Sequence, residues 1–337
     1  MRAIPLVRSS LLHPLFEFLA RRSCALPAPL ARARRALADC DPPIPLACVG
    51  SLFEDAVRAT GSEDLGLRVG RVSEMDALGD LGPALRRSAT LAEAIATAEA
   101  HLTRRFDSGE RIWLGEHGGY ASLNRWFSPA LRRGRQAVSD YSLMFMLKLL
   151  RLAAGPHWRP AEIDLEGPRP AHAARLDDLA YRVRFEQLVT RVLFPRELLA
   201  LPLAQPVPAP RPDGRALARR AAELPLDFEG SVRGAIAALL QLGRPDLRSL
   251  AEAAGTSVRS LQRALSKDGL HFTQLVDEAR FERARHLLRE PARVVDVGAD
   301  LGYTDAGNFS RAFRRWSGGQ SPREFRLSLE RDVSAAG

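Results

Sequence analysis

One short pattern occurs twice near the end of this 337-residue chain. LQRAL at 261–265 and FSRAF at 309–313 superpose with an offset of 48 residues, and the glycines that precede them, Gly255 and Gly302, are offset by 47. A repeated local device restricts the fold more than composition does, because both copies must be stable as one kind of unit. In the first copy Asp246 stands as an N-cap before Leu247, Leu250, Ala251 and Ala254, which are spaced as one helix face requires. Gly255 suits the left-handed position that ends such a helix. Ser257 caps the next helix, whose stripe of Val258, Leu261 and Leu265 leaves Arg259, Gln262 and Arg263 facing outward.

The second copy reads the same way. Val294, Val297, Gly298 and Leu301 line a first helix, Gly302 makes the turn, and Thr304 or Asp305 caps a second helix. Phe309, Ala312, Phe313 and Trp316 are its buried stripe, with Asn308, Arg311, Arg314 and Arg315 opposite. Between the copies, FTQLVDEARFERARHLL at 272–288 suits one long helix ended by Pro291. A rigid spacer of this kind sets two recognition helices at the separation of successive major grooves. Net charge is +9, but all basic residues except Lys148 and Lys267 are arginine, so a compositional bias toward Arg accounts for it equally well. Residues 231–330 hold 16 Lys and Arg against 12 Asp and Glu, so geometry carries the nucleic-acid reading more than total charge.

Upstream, LPLAQPVPAPRPDG at 201–214 holds five prolines and reads as an extended linker, followed by a short helix, RALARRAAEL. The expected division is an α+β domain over 1–200, a Pro-rich linker and short helix over 201–226, and an all-α domain over 227–330 with two helix-turn-helix units joined by a long helix. The basic, apolar opening segment reads as an amphipathic first helix, not as a signal peptide. Thr90 and Glu93 form a capping box for a helix over 90–102. YSLMFMLKLLRLAAG at 141–155 is apolar nearly all round and reads as a buried helix. YASLNRWF, AEIDLEG and VTRVLF read as strands.

Residues about 230–327 resemble the DNA-binding domain of AraC/XylS-type transcriptional regulators through LRSLAEAAGTSVRSLQRAL, RFERARHLL and DVGADLGYTDAGNFSRAFRRWSGGQSPREFR. Residues about 25–200 resemble the sensor domain of that family's ornithine-utilisation-regulator-like branch, with an arabinose-binding-type N-terminal domain, through IPLACVGSLFEDAVRATGSEDLGLRVG, LGDLGPALRRSATLAEAI and RVRFEQLVTRVLFPRELLALPL. The resemblance implies sequence-specific DNA binding by the second helix of each unit. The candidate contact residues are Ser257, Arg259, Ser260, Gln262 and Arg263 in the first unit, and Thr304, Asn308, Arg311, Arg314 and Arg315 in the second. Gly307 departs from the family's longer polar side chain, His271 stands where a Ser or Thr cap is usual, and SGGQSP is one residue longer than the usual turn.

The expected partners are double-stranded promoter DNA, a small-molecule effector on the N-terminal domain, RNA polymerase and a second copy of the chain, with activator behaviour among the expected outputs. The expected location is the cytoplasm, at the nucleoid, without a membrane. Cys24, Cys40 and Cys48 form no CxxC pattern, and the seven histidines stand at no ligand spacing, so no catalytic, cofactor or metal site is expected. GEHGGY at 115–120 reads as a turn rather than an active site, and Trp113, Trp126 and Trp158 are candidates for an effector pocket, with core packing the commoner fate of a Trp. Two other readings stand beside the regulator: an architectural DNA binder without sequence preference, and an enzymatic N-terminal domain fused to a DNA-binding module. Methyl-transfer repair chemistry on similar units needs a zinc-bound cysteine cluster that these three cysteines do not resemble.

Overall fold

The computed structural model describes residues 1–22, 26–37, 41–78, 81–203, 223–243, 245–290 and 292–335. Most of the Pro-rich stretch and its short helix, with Cys24 and Cys40, lie outside the described residues.

The opening segment is not one amphipathic helix. Strand β1, Leu6–Arg8, comes first and pairs antiparallel with β2, Pro43–Pro45. Helix α1, His13–Ala20, begins only where Pro14 fits its first turn, and α2 is Ala28–Ala36. Tertiary pairing overrides helix propensity because β1 is buried on both sides. Its alternation places Leu6 in one apolar cluster and Val7 in another, so three residues stitch two cores together.

The larger cluster is the core of the N-terminal domain. Helices α3, Leu46–Thr60, α4, Leu65–Val72, α5, Leu81–Arg86, and α6, Leu91–His101, pack around a five-stranded sheet. Thr90 accepts the Glu93 amide, and the Glu93 carboxylate takes the Ala89 amide at 2.7 Å, which realises the capping box one residue early. The sheet consists of β3, Glu110–His117, β4, Tyr120–Phe127, β5, Glu162–Asp164, β6, Arg182–Arg184, and β7, Thr190–Pro195, in the order β3-β4-β7-β5-β6. All pairs are antiparallel except β5 with β6. Within GEHGGY, Gly118 and Gly119 form the β3–β4 hairpin turn, with Gly118 at φ +60°, and the flanking residues pair as strand. The apolar run at 141–155 belongs to a longer helix, α7, Arg135–Ala154, which covers the sheet; a short helix, α8, Ala173–Asp177, follows. The α+β reading of this domain is correct. Among the described residues no helix is long and apolar enough to cross a membrane.

The start of β3 buries two carboxyls. Asp107 is 1% exposed, its Oδ1 accepts the Gly109 amide at 2.7 Å, and its Oδ2 has no hydrogen-bond partner. Burial, and then the neighbouring Glu110 charge, hold the Asp107 carboxyl well above the usual carboxylate range. The native state therefore binds more protons than the unfolded state above the unfolded Asp value near 3.9, and this site loses stability as pH rises through that window. Thermal melts of Asp107→Asn should fall less steeply than wild type between pH 4 and 7. The two curves should diverge by about 2–4 °C for each kcal/mol released; parallel curves would show that Asp107 does not titrate there.

Candidate nucleic-acid interface

The first unit rests on α9, Phe228–Leu242, where Asp227 accepts the Gly230 amide at 2.7 Å. Helix α10, Leu247–Ala253, follows its Asp246 cap, which accepts the Ser249 amide at 2.7 Å. Gly255 turns the chain at φ +63° into α11, Val258–Lys267. Ser257 accepts the Ser260 amide at 3.2 Å and donates to the Ser260 hydroxyl at 3.0 Å, so both candidate serines are engaged in capping. Leu261 and Leu265 are buried, whereas Arg259, Gln262 and Arg263 are exposed. At about 100° per residue those three share one outer face of α11. They make no hydrogen bond or ion pair with another described residue.

The connecting helix α12, Phe272–Leu288, is continuous. His271 precedes it without a side-chain cap. An Arg233–Glu278 ion pair and the apolar residues Leu275 and Val276 join α12 to α9. The second unit repeats the first. Helix α13, Val294–Asp300, ends at Gly302 with φ +84°, and α14, Ala306–Ser317, starts from Asp305. Asp305, not Thr304, is the cap: its carboxylate takes the Gly307 and Asn308 amides, each at 3.1 Å, which lower its pKa. Phe309 and Phe313 are fully buried, and Phe281, Tyr303, Trp316 and Phe325 pack around them in edge and tilted contacts. Helix α15, Pro322–Ala335, starts at a reciprocal box in which Ser321 takes the Glu324 amide at 3.2 Å and Glu324 takes the Ser321 amide at 2.7 Å.

Thr304, Asn308, Arg311 and Arg315 line one groove on the second unit. Arg314 is exposed but lies about 100° around α14 from Arg315, beside the Glu324 charge and outside that groove. Two residues missed in the sequence complete the groove, Asp277 and Arg280 of α12. Asp277 holds Arg315 at 2.7 Å, Asn308 holds Arg311 at 2.7 Å, and Arg280 lies over the Tyr303 ring at 5.7 Å. Sequence spacing could not reveal them, because Asp277 and Arg280 read as the solvated face of a connecting helix. The two units thus differ: the first presents unengaged side chains, while two arginines of the second are held within the protein.

The first unit also docks on the N-terminal domain. Ile4 and Leu6 complete the apolar cluster of α9, α10 and α11, beside Phe228, Val232 and Ile236. The Ile4 amide donates to the buried Ser231 hydroxyl at 2.9 Å. Arg32 donates to the Leu242 carbonyl at 3.3 Å, and Arg132 reaches the Gly255 carbonyl at 3.4 Å. Cys48 packs against the same cluster, and burial pushes its thiol up to about 12, so it is poorly suited to nucleophilic chemistry. Trp113, Trp126 and Trp158 do not line the apolar cavity of the N-terminal domain, which lies between α6, α7 and β3; Trp158 packs against the core, the commoner fate in the sequence reading.

Comparison with known proteins gives one picture along the chain. Residues 29–203 match the family described as the arabinose-binding domain of AraC transcription regulator, N-terminal, and residues 250–328 match a helix-turn-helix domain. The chain is 29% identical to the ornithine utilization regulator of Pseudomonas aeruginosa over 79% of each chain. It is 26% identical to the regulator VirS of Mycobacterium tuberculosis over 82% of each. It is 42% identical to the regulator VqsM of Pseudomonas aeruginosa over 25% of this chain and 26% of that one.

Gly255 tests the docking. A Cβ there would sit 2.9 Å from the Ala130 Cα, whereas at Gly269, φ +70°, it would meet nothing within 4 Å. In urea denaturation, Gly269→Ala should lose only the left-handed backbone cost, about 1–2 kcal/mol. Gly255→Ala should lose about 1 kcal/mol or more beyond that through overpacking against the N-terminal domain. Equal losses would mean that the contact at Ala130 yields freely.

Proposed function

The chain belongs to the AraC family of helix-turn-helix transcription regulators, and from that premise we propose that it reads double-stranded promoter DNA with α11 and α14, the first unit supplying most of the sequence discrimination and the second most of the general affinity. The observation that carries this reading is the contrast between two similarly built helices. On α11, Arg259 and Gln262 are one turn apart, exposed and unengaged, so they can meet neighbouring base edges together, with Arg263 beside them for guanine or phosphate. On α14, Gly307 offers no side chain, and Arg311 and Arg315 lie in a groove with Asn308 and Thr304, suited to phosphates. Arg314 serves a second phosphate track from its own side of the helix. Ser260 and Thr304 stand exposed at the starts of α11 and α14, where their hydroxyls can donate to a phosphate, while Ser257 holds Ser260 in place through the cap.

The N-terminal domain binds a small-molecule effector in this reading, and its shared core with the first unit gives an input there a mechanical route to α11. A second copy of the chain and RNA polymerase complete the promoter complex, in the cytoplasm at the nucleoid. The relatives' names as regulators support a non-enzymatic role.

Site selection from a random duplex pool separates the roles. Gln262→Ala should relax preference at one or two base pairs and cost about 1–3 kcal/mol at the best site. Arg315→Ala should weaken all sequences about equally and reduce the slope of log K against log salt by about one. Because Asp277 competes with phosphate for Arg315, Asp277→Asn should tighten binding to all sequences. An unchanged consensus for Gln262→Ala, or an altered one for Arg315→Ala, would overturn this division.

A further inference from the structure

Inside the N-terminal domain, α5, α6 and α7 enclose a cavity of about 60 Å³ against β3 and β4. Its walls are apolar, with Phe106, Phe145, Met75 and Met146 among them. The polar exceptions are the Tyr141 hydroxyl, already donated to the Leu11 carbonyl at 3.2 Å, and one pair: the Glu110 carboxyl, 6% exposed, which accepts the Ser142 hydroxyl. A carboxyl facing an apolar space is costly unless its lone pairs are used. Burial holds the Glu110 carboxyl above the usual carboxylate range, and the buried Arg125 guanidinium draws it only partly back, with its own hydrogen bonds going to the Ser139 carbonyl and the Thr190 hydroxyl. Ser142 satisfies one acceptor site of the two oxygens, so Glu110 keeps acceptor capacity toward the cavity. The volume equals roughly two waters, and the unbranched side chains of Met75 and Met146 can re-pack to admit more.

We propose that this cavity is the effector site and that it takes a compact apolar molecule carrying a single hydrogen-bond donor, an alcohol or an amine, with the donor on the Glu110 carboxyl and the carbon skeleton between Phe106 and Phe145. The proposal rests on the effector-sensing reading of the domain. One polar pair does not match the several hydroxyls of a pentose. Among the described residues no cationic side chain lines the cavity to take the carboxylate of an amino acid, and Glu110 repels one.

Melting of the full chain with n-butanol, n-butylamine, n-butyrate, L-arabinose and L-ornithine tests this. The alcohol or the amine should raise Tm in a concentration-dependent way, by about 3 °C once at roughly ten times its Kd. Butyrate, arabinose and ornithine should not. Ala98→Leu, which fills the cavity, should abolish the shift, and Leu85→Phe gives the same readout should the first variant lose its cooperative melt. Glu110→Gln should remove any shift from the amine and retain that from the alcohol. No shift with either donor ligand, an equal shift with butyrate, or a shift that survives filling of the cavity would overturn the proposal. DNA affinity of the unsubstituted chain without ligand is measured beside these melts, so failure of the ligand readout and failure of the DNA-binding reading appear in different measurements.

Discussion

The outer helices of both units, Val258–Lys267 and Ala306–Ser317, are placed by the packing of one helix, Phe228–Leu242. One side of it, through Val232 and Ile236, shares a core with Ile4 and Leu6 of the N-terminal strand. Another side meets Leu275 and Val276 of the connecting helix, and Leu240 reaches the core of the second unit. Burying an aliphatic side chain contributes about 1.5–3 kcal/mol, so a few such contacts outweigh the freedom that a flexible join would leave. The Ile4 amide must find an acceptor when buried, and the Ser231 hydroxyl supplies it within the same contact. The first unit is therefore an extension of the N-terminal domain, and the second is held through the connecting helix, which spans about 25 Å at its length of 17 residues.

The electrostatics of the two units follow from what surrounds each helix. Among the described residues no acidic side chain holds the arginines on the outer face of Val258–Lys267, so their guanidinium groups remain available to a partner. Arg315 meets Asp277 from the connecting helix, so on the proposed reading a phosphate has to displace that carboxylate, which lowers the gain from contact without selecting among bases. The pair is exposed, which makes it weak and easily displaced.

Much of the C-terminal domain was legible because its determinants are local. Asp246, Ser257, Gly255 and Gly302 act within a few residues of their own backbone, and the spacing of Phe309 and Phe313 fixes which side of the helix is buried. Features that depend on distant residues were not legible. Strand Leu6–Arg8 looks helical alone and exists because Pro43–Pro45 and two cores surround it. Gly255 serves its turn and also the approach of Ala130, and only the turn can be read from sequence. The cavity is floored by Glu110 and Ser142, 32 residues apart, while the tryptophans that composition draws attention to lie elsewhere.

The central claim is that one rigid frame presents two reading helices to successive major grooves of a duplex. Methylation interference on a selected site, followed by insertion of about half a helical turn, roughly five base pairs, between the two interfering segments, tests it most directly. The account predicts two segments about one turn apart, and a loss of affinity on insertion to the level of a site with one segment deleted. Binding that tolerates the insertion, or interference confined to a single segment, would contradict it.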